Sequence, residues 1–155
     1  MNTLIAIAGT LIGVALQARM PTLWWLGGVR MEFLPALVAY ASLTMPRRRA
    51  VTVALVAGMM QDALSAAPFG VSALAYGISA LLMTSLREVL DRDLPWVQLG
   101  AGALPSAAAA VIAFFVVGLS FGAVFKMVVV AAISGIVAVM LFFVLDYSRM
   151  AWGNA

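Results

Sequence analysis

Between Asp93 and Lys126 the chain carries no charged residue at all, and the rest is little more polar. Charges interrupt it only at Arg19, Arg30 and Glu32, Arg47–Arg49, Asp62, Arg87–Asp93, Lys126, and Asp146 and Arg149. Of 155 residues, 65% are apolar and 10% charged, against about 25% charged in a typical soluble domain. A water-soluble fold of this length needs a polar shell, and these residues are too few to make one. The bilayer is the solvent for most side chains. The formal charge of +3 is therefore read loop by loop as topology, and not as a footprint for nucleic acid.

Charges and helix breakers together predict an all-α polytopic membrane protein. It is expected to be a compact bundle of six transmembrane helices forming one domain over 1–155. The spans fall at about 2–18, 31–46, 50–66, 70–86, 95–118 and 124–145. The first lacks a basic leader and reads as a retained span rather than a signal peptide. The second is short, and crosses if Arg30 and Glu32 snorkel outward or the bilayer thins. If it is re-entrant instead, five spans remain. The tract 50–86 is too long for one helix and is broken by "SAAPFG". There Pro68 removes a backbone donor and Gly70 permits a tight turn. Pro105 predicts a kink in the fifth span.

Orientation follows from the basic residues. With both termini cytoplasmic, Arg47, Arg48, Arg49, Arg87, Arg92 and Arg149 lie inside, and Arg19, Arg30 and Lys126 outside. That is the direction of the positive-inside bias. Trp24, Trp25, Trp96 and Trp152 fall near predicted boundaries, where aromatic anchors belong. Small residues at helical spacing mark packing faces: Gly9 with Gly13, and Ala131 with Gly135. Gly9 and Gly13 are the best candidates for a face that meets another protein or a second copy, as in a homodimer.

Asp62 is the one acid inside a long apolar tract. It stands roughly 18 Å of helix rise beyond Ala50, in the outer half of the bilayer. An ionised carboxylate at mid-depth costs about 2.5–3.5 kcal/mol even on lenient insertion scales, so such a residue faces the bundle interior. Three readings compete. Asp62 accepts hydrogen bonds from backbone amides near Gly70–Ser72 and ties down the turn, with Gly58 one helical turn back leaving room. Or it pairs with Lys126, Arg30 being a less buried option. Or it carries a proton or cation. Gln61 adds a polar neighbour, but projects about 100° away around the helix.

Catalysis finds little support. The chain has no Cys and no His, which removes thiolate chemistry, the commonest near-neutral base and the commonest metal ligand. An intramembrane aspartyl protease needs two carboxylates sharing a site, and one is read as buried. Asp91 and Asp93 share a loop with Arg87 and Arg92 and read as solvated. No enzyme, cofactor or metal is expected.

The order of features in residues 30–90 resembles the bacterial rod shape-determining protein family MreD. Arg30 opens a span carrying Tyr40, which ends in the Pro-basic turn "MPRRR". A Gly-x-x-x-Asp helix follows, Gly58 and Asp62 in "GMMQDALS". Then come the Pro-x-Gly turn "PFG" and the small-residue helix "VSALAYGISALL". Met31 stands where the family usually has Pro, and Ala66 where a Gly is common. The resemblance implies a non-enzymatic protein of the bacterial cytoplasmic membrane. Its implied partners are the bitopic protein MreC, MreB filaments and the RodA/penicillin-binding-protein synthase. It also implies a fold similar to the substrate-capture subunits of energy-coupling-factor transporters. A scaffold of the rod complex is thus the first functional expectation, and a capture subunit for a small molecule the alternative.

Overall fold

Most charges of the sequence mark the ends of helices. The computed structural model describes residues 3–19, 32–65, 69–89, 91, 93–117 and 121–153. Among them are six α-helices and no strand: α1 (Thr3–Arg19), α2 (Leu34–Thr44), α3 (Arg47–Leu64), α4 (Val71–Leu86), α5 (Pro95–Val117) and α6 (Phe121–Gly153). Arg30, Pro68, Trp24 and Trp25 lie outside the described residues, as does the side chain of Trp152.

Four boundaries differ from expectation by three residues or more; α6 begins at Phe121 rather than residue 124, and the other three have a local reason. α2 begins at Leu34 rather than residue 31, because Pro35 occupies the first turn, where its fixed φ and missing N–H are tolerated. α3 begins at Arg47, so the three arginines form its first turn. Pro46 caps it with φ −59° and ψ 145°, which places the change of direction there. α6 runs on to Gly153, since no Gly or Pro stands between Gly135 and that residue. Its 33 residues rise about 50 Å, beyond the ~30 Å of a hydrocarbon core. Pro105 sits inside a continuous α5 and is fully buried.

The shortest helix is the centre. Nine of the eleven residues of α2 are buried, and it touches every other helix. A helix surrounded on all sides has no polar face. Leu34 and Val38 pack with Ala54, Ala57 and Ala75, while Tyr40 meets Phe142 edge to face at 5.0 Å. Arg87 donates to the Met45 carbonyl at 3.0 Å, fastening the end of α4 to the α2–α3 link. Buried hydroxyls turn back on their own helices: Ser42 to Val38, Ser79 to Ala75, and Thr84 to Ala80.

The outward surface is strongly apolar, with Leu11, Ile12, Phe115, Phe125, Ile136 and Phe143 all exposed. So much bare hydrocarbon suits a lipid environment. Among the described residues, two helices are long and apolar enough to cross a membrane, over Pro95–Val116 and Phe125–Tyr147.

Candidate functional site

The α3–α4 turn is built around Asp62. Its Oδ2 accepts from the backbone N–H of Gly70 at 2.8 Å and of Ala73 at 3.3 Å, and its Oδ1 from Ser72 at 2.9 Å. These are donors of the first turn of α4, which have no partner within their own helix. The positive end of the α4 dipole adds to the attraction. Asp62 is 3% exposed, and the amides replace the water it has lost.

Two glycines make this clamp possible. A Cβ on Gly58 would overlap the Ala73 backbone, so glycine sets how closely α3 approaches α4. Gly70 has φ +103°, a conformation that side chains other than hydrogen resist. A Cβ there would meet nothing, so the requirement is conformational and not one of space.

Beside the clamp lies a polar cluster. Gln17 of α1 donates to the Gln61 side-chain oxygen at 2.9 Å and accepts from the Phe33 N–H at 3.4 Å. Gln61 donates in turn to Glu32 Oε1 at 3.1 Å. Ser106 of α5 bonds Glu32 Oε2 at 3.5 Å and Ser134 of α6 at 3.1 Å. Gln17, Gln61, Ser106 and Ser134 are all buried, and Glu32 is half-buried. The chain of bonds ties α1, α3, α5 and α6 to the segment that enters α2. It borders a cavity of about 270 Å³ lined also by Ser72, Tyr76 and Met127.

Glu32 therefore turns inward, which leaves its outward snorkel, one of the two ways named for the short second span to cross, without support. The reason is the company waiting inside: Gln61 and Ser106 present donors that a carboxylate in apolar surroundings needs. Adjacent residues Gln61 and Asp62 serve different partners, as their angular separation on α3 requires. Lys126 is exposed on α6, and no ion pair joins it to Asp62 among the described residues. Gly9 and Gly13 face Leu37 and Leu34 of α2 at ordinary contact distance, beside a groove of about 160 Å³. Gln17, Glu32, Ser106 and Ser134 were not singled out as site residues from the sequence. The usable signal was polarity alone, isolated polar side chains within apolar helices.

The clamp, the glycine contact and the break after Ser65 fall where the Gly-x-x-x-Asp and Pro-x-Gly features stand in the sequence. A family model described as rod shape-determining protein MreD matches residues 1–151. The chain belongs to the MreD family. Neither a curated protein nor a solved structure matches it. MreD membership connects the chain with the determination of rod shape, and together with the two long apolar helices it points to a membrane protein. The Asp62 clamp and the Glu32 cluster each place a carboxyl group among the helices of this MreD-family chain.

Proposed function

We propose that the chain crosses the bacterial cytoplasmic membrane six times, with both termini cytoplasmic, as a non-enzymatic scaffold of the cell-wall elongation machinery. In this reading it holds a bitopic MreC-like protein and, through it, works with MreB filaments and the RodA/penicillin-binding-protein synthase. The α3–α4 turn then faces outward. The observation that carries the scaffold reading is the state of Asp62. Both its oxygens are engaged by fixed backbone amides, which suits a fastening and not a group that gives and takes protons.

Photocrosslinking in cells tests the partner. Crosslinkers at exposed Leu11 and Ile136 are expected to recover an MreC-like adduct. Recovery of no such adduct from any exposed helix face would sink the scaffold reading. Topology is tested by cysteine labelling, made clean by the absence of native Cys. A cysteine at Lys126 is expected to react with an impermeant reagent from outside, and one at Arg48 only after the membrane is opened.

A second reading, a small-molecule capture subunit, draws on the polar cavity at Glu32. It predicts a co-purifying small molecule, detectable by mass spectrometry and lost in Glu32→Gln.

A further inference from the structure

Two cavities meet between α5 and α6. The polar one is lined by Glu32, Gln61 and Ser106, and also by Ala110, Met127 and Val130. Next to it lies a wholly apolar one of about 450 Å³, lined by Val111, Phe114, Phe115 and Val128. Ala110 and Met127 line both, so the two adjoin at these side chains.

The space arises from how the two helices pack. Toward the cytoplasmic end of the proposed topology, Gly102 and Gly135 let α5 and α6 touch. A Cβ on Gly102 would overlap that of Ala138, and one on Gly135 would stand 2.8 Å from the Leu99 carbonyl oxygen. Both cavities lie toward the opposite end of the pair.

Polar groups give the pair of cavities a direction. Glu32 is bonded by Gln61 and Ser106, both neutral, and among the described residues no cation binds its carboxylate. Lys126 lines neither cavity, but it is exposed and stands one helical turn before Val130, which lines the polar one. A carboxyl group within, a lysine one helical turn from the cavity lining and an apolar trough alongside complement an ammonium, a phosphate and an acyl chain in turn. We propose that the two cavities form one site for an aminophospholipid. Its ammonium donates to Glu32, its phosphate sits near Lys126, and one acyl chain lies along Phe114 and Phe115. A trimethylated head group has no N–H to offer the carboxylate, and an anionic head group meets like charge. The site stands whether or not the scaffold reading holds.

The test uses the full chain in nanodiscs of equal parts phosphatidylethanolamine, phosphatidylcholine and phosphatidylglycerol, with native mass spectrometry of the lipid that stays bound. Phosphatidylethanolamine is expected to be retained roughly tenfold over phosphatidylcholine, the scale of one charge-assisted hydrogen bond. Glu32→Gln is expected to erase that preference, and Ala110→Leu to lower retention of every lipid. Equal retention of the three lipids by the unaltered protein overturns the proposal without any variant. So does a preference for phosphatidylglycerol, or an ethanolamine preference that survives in folded Glu32→Gln.

Discussion

Asp62 and Glu32 place two carboxylates at the same end of the bundle, and the chain holds them in opposite ways. The donors to Asp62 are backbone amides only 8, 10 and 11 residues further on. Those to Glu32 are side chains 29 and 74 residues away, on two different helices. Backbone donors cannot rotate away, so the first carboxylate is fixed with the helix that meets it. Side-chain donors can reorient, and the 3.5 Å bond from Ser106 is already long. The difference separates a fastening from a lining: Asp62 sets the geometry of α3 on α4, whereas Glu32 leaves part of its acceptor capacity to a cavity.

The contrast breaks most sharply at Asp62. Asp62→Leu strands three amide donors in an apolar setting, and is expected to lower stability by about 3–5 kcal/mol. Asp62→Asn keeps an acceptor and is expected to cost about 1–2 kcal/mol. Thermal unfolding in one detergent, read against the unaltered protein, ranks the two. Equal losses would point instead to a required charge. Next in size is Gly58→Val, expected to cost about 2–3 kcal/mol by driving a side chain into the Ala73 backbone. It acts on the same clamp, so combined with Asp62→Leu its effect should be less than additive. Full additivity would mean that the close approach and the hydrogen bonds are separate devices.

That coupling also explains what can be read from the chain unaided. Charges and breakers delimit six helices because each acts within a few residues: Pro46 and Gly70 redirect the backbone where they stand. The donors to Asp62 fall within the adjacent turn, so a local reading reaches them. Glu32 is beyond such a reading. Whether it snorkels or turns inward depends on the rotational setting of α3 and α5, which place Gln61 and Ser106 beside it. The central position of α2 is hidden for a related reason. A short helix apolar on every side is the same string whether lipid or protein surrounds it.

On the Glu32 side the effects are smaller. Glu32→Ala leaves Gln61 without its acceptor, for an expected loss of about 1–2 kcal/mol. Glu32→Gln retains an acceptor and should fall within about 1 kcal/mol of the unaltered protein. A loss as large as that of Asp62→Leu would make Glu32 a second fastening and erase the distinction drawn above.

The finest probe of the clamp is Gly70, because it alters conformation and leaves every hydrogen-bonding group in place. At φ +103° a side chain is strained whatever space surrounds it, and here the space is open. Gly70→Ala is therefore expected to cost about 1 kcal/mol through the backbone alone. Gly70→Asn is expected to cost less, since Asn enters the left-handed region more readily than other side chains. If the two substitutions unfold together with the unaltered protein, the turn has relaxed to another conformation. The Gly70 amide would then no longer need to point at Asp62, and the fastening would rest on Ser72 and Ala73. If Ala costs more than Asn, the left-handed turn is what aims the Gly70 amide at the carboxylate, and the clamp begins in the loop before it reaches the helix.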